Sequence, residues 1–322
     1  MRVFCFGDIH IGQSKYQWVK DQEERLYDWV LSRVKEWGCG RVVFLGDAFR
    51  DRMHSGRDKD KVWSLFKEIA KRVDVVVVAG NHDYYDKGCE ECGLMVLKDM
   101  SGIQVVDGEV YGEKVGGRDV VYVPWRWCIR GSKEQLGGDV VFGHFELREA
   151  VWWESGDQVS LSDFEGVGLV VSGHLHFRKR VGNVLYAGVP FQRSFGDGLE
   201  VGGVVVDLDF LRWEWVDGYG VKFVQVDRVE DLDVVDVSRC YVRVKERSLV
   251  EVMKRLGVLG VEYIPEGVRS YDKEERIQEL EERVKIDLWQ LLEEYGRKVL
   301  KVGDKELEWL RNRCVVGSDS DV

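Results

Sequence analysis

The chain of 322 residues has no long apolar run and no regular cysteine framework. No stretch approaches the ~20 consecutive apolar residues of a transmembrane helix, so we expect no contact with a membrane. Its seven cysteines are odd in number and scattered, which favours reduced thiols and a cytoplasmic location over a disulfide scaffold. Internal repeats and low-complexity tracts are also absent. Because the first residues already have the composition of a strand, we expect no signal or transit peptide.

Histidine is scarce, and its positions are the most informative feature of the sequence. Of six histidines, five lie in short segments that follow Val-, Phe- or Leu-rich stretches. These segments are Asp8-Ile9-His10, Gly46-Asp47, Gly80-Asn81-His82-Asp83, Gly143-His144 and Gly173-His174-Leu175-His176. Buried strands that end at such segments would place their Asp, Asn and His side chains along one edge of a sheet. The pattern therefore predicts a cage of oxygen and nitrogen ligands for two divalent cations.

The residue types predict how the ligands divide between the cations. Asp47 is the natural bridge, because an ionised carboxylate can offer one oxygen to each metal. Asp8 and His10 lie two residues apart at the end of the first predicted strand and can share one cation. The remaining predicted ligands are Asn81, His144, His174 and His176. Mixed nitrogen and oxygen ligation without thiolate suits Mn, Fe, Zn or Co.

Such a site predicts hydrolysis of a phosphate ester without a covalent enzyme intermediate. Hydroxide formed between the cations would attack phosphorus in line with the leaving oxygen. We predict that His82 protonates the leaving alkoxide and that Asp83 accepts the other ring N–H of His82, which would orient the ring.

Basic residues recur just beyond the ligand segments, although the net charge of −11 argues against indiscriminate binding of polyanions. The residues that we predict to contact a phosphate substrate, which would be DNA in a nucleic-acid enzyme, are Arg50, Arg52, His54, Arg126 and Arg178. The alternative is that they are solvated loop charges, and for His54 a surface position is the preferred interpretation.

The order of elements predicts an α/β sandwich of two sheets. Helical periodicity over Tyr16–Trp37 and Lys61–Arg72 alternates with the first three strands, which is typical of a parallel sheet covered by helices. Beyond Ile103, shorter strands and glycine-containing turns predict a second sheet. Asp217-Gly218 has the composition of a hairpin turn.

Two smaller parts follow the predicted main domain of residues 1–227. A β-α-β module within residues 228–268 is predicted from a strand at Cys240–Lys245, a helix from Ser248 to Gly257 and a strand at Val258–Ile264. Residues 269–322 have amphipathic helical periodicity. These helices could dock on a partner or fold back as a brace on the main domain.

The ordered series DxH, GD, GNHD, GH and GHxH resembles the signature of calcineurin-like metallophosphoesterases. Over Met1 to about Tyr295 the chain resembles the SbcD-type nuclease subunits, particularly the compact bacteriophage recombination endonucleases. The narrower resemblance is carried by Phe-Gly-His144-Phe-Glu-Leu, Val-Ser-Gly-His174-Leu-His176 and Tyr-Ala-Gly188-Val-Pro190-Phe, with support from Pro124-Trp125. The resemblance implies one metal held by Asp8, His10, Asp47 and His176. It implies a second held by Asp47, Asn81, His144 and His174.

The resemblance also implies activity and partners. Such proteins are manganese-dependent exonucleases on DNA ends and endonucleases on single strands, and they act with an SbcC-type coiled-coil ATPase in DNA repair or recombination. The β-α-β module would be the capping domain, the terminal helices would dock on the ATPase, and the chain would form a homodimer in the cytoplasm of the cell or phage host. Arg50 stands where some members have a further histidine, for which His54 could substitute. The rival interpretations are a phosphatase on the same core and a scaffold that has lost the chemistry.

Overall fold

The structure is a computed structural model that describes residues 1–12, 14, 17–129, 136–226, 240–245 and 247–263. Its elements in chain order are β1 (Arg2–Phe6), α1 (Gln17–Trp37), β2 (Arg41–Phe44), α2 (Gly56–Ala70), β3 (Asp74–Val78), β4 (Ile103–Val106), β5 (Tyr111–Val115), β6 (Arg118–Val123), α3 (Trp125–Ile129), β7 (Val140–His144), β8 (Leu169–Gly173), β9 (Lys179–Val181), β10 (Val184–Tyr186), β11 (Gly202–Asp207), β12 (Arg212–Asp217), β13 (Lys222–Val226), β14 (Cys240–Val244), α4 (Arg247–Arg255) and β15 (Gly260–Tyr263). All of them belong to one compact unit, Met1–Tyr263.

The described strands form two six-stranded sheets and one of three strands. The first sheet has the order β12-β11-β1-β2-β3-β4, and the second has the order β5-β6-β7-β8-β10-β9. Strands β1 to β4 run parallel, as do β6, β7, β8 and β10. Antiparallel pairs complete one side of the first sheet and both sides of the second. The predicted α/β fold with two sheets is confirmed.

The alternation of side chains along the strands creates two layers of core. In β1, Val3 and Cys5 belong to the apolar cluster that joins the two large sheets, together with residues such as Phe142 of β7. Phe4 and Phe6 point to the opposite face, where both contact the indole ring of Trp29 on α1. Strands buried on both faces explain the nearly continuous apolar composition of these segments.

Helix α1 begins and ends within one residue of its prediction, but α2 begins earlier than predicted. Ser55 caps α2, since its hydroxyl accepts a hydrogen bond from the Asp58 backbone N–H at 3.1 Å. The first turn of α2 is polar and carries no apolar period, which is why periodicity placed its start at Lys61.

The third sheet contains the predicted strand, helix and strand of the β-α-β module. Its strands β13, β14 and β15 are parallel, and α4 connects β14 to β15. Strand β13 lies before residue 227, so the sheet starts inside the stretch predicted as the main domain, and the domain bounds stay a prediction. The hairpin predicted at Asp217-Gly218 is wrong, because β12 pairs with β11 and the next strand lies in this third sheet.

Other predictions concern the ends of the chain and its thiols. The predicted helical segment 269–322 lies outside the described residues. The part of the chain that the structure describes contains no helix long and apolar enough to cross a lipid bilayer. Its cysteines are buried and form no disulfide.

Candidate metal centre

The predicted ligands lie where the carboxyl ends of five strands meet. Asp8, Asp47 and Asn81 follow β1, β2 and β3, which are adjacent in the first sheet. His144 ends β7 and His174 follows β8, which are adjacent in the second sheet. Hydrogen bonds cross between the sheets here, such as that from the His174 backbone N–H to Asp8 Oδ1 at 3.0 Å.

Several of these residues have an unusual backbone. Asp8, His10, Asp47 and His174 have φ values of 54°, 44°, 57° and 87°. Non-glycine residues in this left-handed region cost about 1–3 kcal/mol each and concentrate at functional sites. Backbone hydrogen bonds hold them, including Asp8 N–H to Gly46 O at 2.8 Å and His10 N–H to Asp47 O at 3.1 Å.

Asp47 lies between two groups of potential ligands. Its Oδ2 is 3.6 Å from Nε2 of His10, and its Oδ1 is 3.5 Å from Nε2 of His144. Each carboxylate oxygen therefore faces a different histidine, as expected for a carboxylate that bridges two cations.

The first group contains Asp8, His10 and His176. One ligand atom from each lies within 4.8 Å of the others. Nε2 of His10 is 2.9 Å from Nε2 of His176, and the latter is 4.0 Å from Asp8 Oδ1. The second group surrounds Asn81, whose Oδ1 is 3.0 Å from His144 Nε2 and 3.2 Å from His174 Nδ1.

The opposite nitrogen of each imidazole has its own partner. Nδ1 of His10 faces the Phe49 carbonyl at 3.1 Å, and Nδ1 of His144 faces the Leu45 carbonyl at 2.7 Å. Because only an N–H can bond a carbonyl oxygen, these neutral rings direct Nε2 lone pairs into the centre. Lone pairs at 2.9–3.2 Å from one another and from an amide oxygen need a cation or proton between them. The donor set therefore fits two divalent cations.

The remaining rings are oriented by carboxylates. Nδ1 of His176 bonds Asp197 Oδ1 at 2.8 Å, and Nε2 of His174 bonds Glu146 Oε2 at 3.3 Å. Sequence reasoning assigned no role to Asp197 or Glu146. Glu146 lies two residues after His144 in the quoted motif, which is a usable signal, whereas nothing in the sequence marks Asp197, 21 residues after His176.

Burial and neighbouring charges shift the pKa values of the ligand residues in different directions. Burial lowers the pKa of His144 to about 4 despite the attraction of Asp47, so the ring is neutral and able to ligate. Burial would raise the pKa of Asp47, but the neighbouring His144, His82 and His10 hold it below its usual value. Although burial opposes it, the hydrogen bond and charge of Asp197 raise the pKa of His176 to about 9. A metal must therefore displace a proton from His176.

The orientation predicted for His82 and Asp83 needs correction. His82 Nδ1 bonds the Arg50 carbonyl at 2.7 Å, and not Asp83. Asp83 is completely buried, and its carboxylate accepts hydrogen bonds from the backbone N–H groups of Asp47 (2.9 Å), Ala48 (2.8 Å) and Gly80 (2.8 Å). Asp83 thus shapes the loop that carries Asp47, and the Arg50 carbonyl, not the Asp83 carboxylate, faces Nδ1 of the predicted general acid.

Arg178 and Arg52 also have different surroundings from those predicted. The Arg178 side chain is only 9% exposed, and its guanidinium donates to the Val201 and Val216 carbonyls. Arg52 is half-buried and donates to the Asp86 carbonyl at 2.6 Å. Both guanidinium groups bond loop and strand carbonyls, which accounts for them without a DNA contact.

The other predicted DNA contacts are partly exposed. Arg50 and Arg126 are half-buried, and Arg50 lies beside the centre through its carbonyl bond to His82. His54 is not the surface residue that the sequence favoured. Its ring stacks on Phe49 with centroids 3.9 Å apart, and its Nε2 bonds the His82 carbonyl at 2.9 Å. His54 thus supports the backbone of His82.

Comparison with known proteins identifies the family of this chain. The sequence model of the family described as calcineurin-like phosphoesterase matches residues 1–178. No functionally curated protein matches the chain. Among solved structures, a phosphoesterase, Yfce, from E. coli is 15% identical with a TM-score of 0.34, and the match covers 65% of this chain and 90% of the other. The nuclease MPE of Pseudomonas putida is 16% identical with a TM-score of 0.32, and the match covers 63% and 82% of the two chains.

The family match extends over more than half of the chain and ends just after His176. The chain therefore belongs to the calcineurin-like phosphoesterases. It is a phosphoester hydrolase of the metallophosphoesterase class, a class that uses divalent metals, and its Asp and His side chains form groups able to hold them.

Proposed function

We propose that this chain is a DNA nuclease that uses two divalent cations, and its resemblance to the SbcD-type subunits favours manganese as the metal. The observation that carries the proposal is the position of Asp47 between two histidine groups, with each oxygen facing one of them. Cations held by such a site would neutralise the negative charge that the non-bridging oxygens of a phosphodiester share.

The side chains of the protein have distinct roles in this proposal. Bound cations would supply an activated water and neutralise charge on the phosphate oxygens. Asp197 and Glu146 would keep His176 and His174 in the ligating orientation. His82 is only partly buried, and the Arg50 carbonyl holds its Nδ1–H. Its Nε2 would donate the proton to the leaving 3′ or 5′ oxygen.

The third sheet favours DNA over a small phosphomonoester. This sheet packs on the main fold through aromatic contacts. The ring centroid of Trp18 on α1 lies 5.3 Å from that of Tyr241 and 4.6 Å from that of Phe223. A phosphatase that binds one phosphate group needs no such addition, whereas a nuclease gains surface along its polymeric substrate. The proposal includes DNA repair or recombination, an SbcC-type ATPase and a homodimer, which follow from the resemblance.

The test compares two kinds of substrate, DNA and a phosphodiester with a good leaving group, in wild-type protein and in His82→Asn. With manganese, wild-type protein should cleave linear duplex DNA and circular single-stranded DNA. His82→Asn should lower kcat on DNA by about 100-fold or more, because an alkoxide leaving group needs a proton. The same substitution should affect bis-(p-nitrophenyl) phosphate far less, since nitrophenolate leaves without protonation.

Metal content, measured by elemental analysis, is the control for the integrity of the variant. Activity of the wild-type protein on phosphomonoesters alone would identify a phosphatase. Equal behaviour of both proteins on every phosphodiester would favour the scaffold. An equal loss on both diesters would contradict the role of His82 as general acid.

A further inference from the structure

The loop at residues 151–158, here called the Trp loop, carries an indole that packing does not explain. Trp152 is 92% exposed and the adjacent Trp153 is 40% exposed. Their rings form an edge-to-face pair with centroids 5.6 Å apart. A fully exposed tryptophan gains nothing from burial in the described fold, so its exposure indicates a contact with a ligand.

The Trp loop is anchored to the metal centre. At its base, the Val159 N–H donates to the Glu146 carbonyl at 2.9 Å, next to the end of β7. Its side chains then converge on the Glu146 carboxylate. Trp153 Nε1 donates to Oε2 at 2.9 Å, and Ser155 Oγ and Gln158 Nε2 donate to Oε1 at 3.0 and 2.8 Å.

The same carboxylate oxygen that binds Trp153 also bonds Nε2 of His174 at 3.3 Å. Two hydrogen bonds through Glu146 thus connect Trp153 to the predicted metal ligand His174, and the Trp152 ring contacts the Trp153 ring. The loop cannot shift without disturbing Glu146, and Glu146 orients His174. The backbone next to Trp152 is therefore tied to the carboxylate that orients His174, and the Trp152 ring contacts that of the anchored Trp153.

The charges of the loop indicate which part of a strand it contacts. Glu154 and Asp157 are acidic and repel phosphate groups, so the attraction must come from the indole face. Nucleobases stack on exposed aromatic rings regardless of their sequence. A base within a duplex has both faces covered, so only an unpaired base is available.

We propose that Trp152 stacks on an unpaired nucleobase of the strand whose phosphodiester lies at the metal centre. This inference rests on the proposed nuclease function and makes it more specific, because it selects single strands and frayed DNA ends as substrates.

The test measures binding of fluorescently labelled oligodeoxyadenylate and of an abasic oligomer of equal length, by anisotropy before metal is added, so that the oligomers are not cleaved. Cleavage is then measured after manganese is added. Wild-type protein should bind the base-containing oligomer about tenfold more tightly. In Trp152→Ala that preference should fall to about twofold or less, whereas Trp152→Phe should retain most of it.

Phe210→Ala is the matched control, because Phe210 is also an exposed aromatic residue, at 70%. It follows β11, whose Asp207 pairs with Arg2 at the start of β1, so it lies at the sheet edge opposite the centre. This variant should retain the wild-type preference.

The outcomes separate the two proposals. Equal binding of both oligomers by the wild-type protein, or no measurable binding of either, overturns the inference. An unchanged preference in Trp152→Ala also overturns the inference. The exposed indole would then be better explained by contact with a protein partner. A preference that depends on Trp152, without cleavage of either oligomer, supports stacking and rejects the nuclease function.

Discussion

At the scale of single residues, Asp47 shows why this centre requires cations. It is only 2% exposed, and its neighbour Asp8 is completely buried. Two buried carboxylates a few ångströms apart would repel each other strongly in a medium of low dielectric constant. The rings of His10 and His144 are neutral, because burial lowers their pKa values, and the proton on His176 is lost when that ring ligates a metal. Divalent cations would neutralise the negative charge of both carboxylates. Metal binding would therefore also stabilise the residues that form the site.

Asp197 provides a prediction on pH dependence. The ring of His176 must lose its proton to ligate, and its pKa is raised to about 9 by Asp197 and the nearby carboxylates despite burial. Below that pKa, protons compete with the metal, so the apparent affinity for manganese should rise by about tenfold per pH unit between pH 7 and 8 from this group. Calorimetric titrations in buffers of different ionisation enthalpy would count the released protons.

Asp197→Asn should change both the pH dependence of the manganese affinity and its value at high pH. Without the negative charge, the pKa of His176 falls, so about one proton fewer should be released on binding at pH 7. At pH 9, where about half of the wild-type His176 rings have already lost the proton, the variant should bind manganese about 10- to 100-fold more weakly, because the ring is less well oriented. Identical proton release in both proteins would contradict this role of Asp197.

At the scale of elements, the glycines at the strand ends create the space that the ligands occupy. A Cβ on Gly80 would lie 2.2 Å from Oδ1 of Asp47 and 2.8 Å from Cε1 of His144. A Cβ on Gly173 would lie 2.4 Å from the Leu45 carbonyl oxygen and 2.9 Å from Asp8 Oδ2. The sheets can approach closely enough to share a site only because these turns lack side chains.

Gly80→Ala should therefore disrupt the centre while leaving the strands intact. The added methyl group would displace the Asp47 carboxylate, and a shift of about 1 Å in a catalytic group can lower activity by about 100-fold. Manganese content and hydrolysis of bis-(p-nitrophenyl) phosphate would measure the loss.

Gly56→Ala is the matched control. Gly56 begins α2, and a Cβ there would meet no atom within 4 Å. This variant should keep wild-type activity and gain slightly in stability through helix propensity. If Gly80→Ala binds manganese and reacts like Gly56→Ala, the steric explanation is wrong.

Elements were predictable from the sequence where their period is strong. Strands β1, β2 and β3 are buried on both faces, and helix α1 is buried on one. Each therefore has a clear apolar pattern in its own sequence. Strand β9 has only three residues, Lys179–Val181, and its edge position leaves no apolar pattern to detect. The false hairpin at Asp217-Gly218 shows the same limit, because turn composition does not specify which sheet receives the next strand.

At the scale of the whole molecule, activity depends on parts that lie far apart in the sequence. The ends of β1, β2 and β3 belong to one sheet and those of β7 and β8 to the other. Neither sheet alone contains both histidine groups around Asp47. The centre is therefore a property of the packed sandwich, and separated halves of the chain should not bind metal.

The predicted partner segment offers a test on the intact chain. Removing residues 269–322 should reduce binding of an SbcC-type ATPase by more than tenfold, because the period of Ile277, Leu280, Val284 and Leu288 is typical of a helix with one apolar face. The metal content should not change, since the ligands lie in residues 8–176. Pull-down and elemental analysis would measure both.

Point variants distinguish docking from a bracing role. Leu288→Asp should weaken partner binding, and Glu282→Ala, on the predicted polar face, should not. A truncated chain that still captures the ATPase would reject the docking role. A truncated chain that unfolds at lower temperature would favour the brace.

The sequence by itself determined the fold class and the seven side chains that meet at the centre, because strand period and ligand type are local properties. Only the tertiary structure showed that Asp197 and Glu146 orient two of the histidines, that Asp83 binds backbone N–H groups, and that Arg178 is used inside the fold. A carboxylate or guanidinium has the same local pattern whether it faces solvent, backbone or ligand. Its partner is decided by the packing of segments distant in sequence, and that information is absent from any single segment.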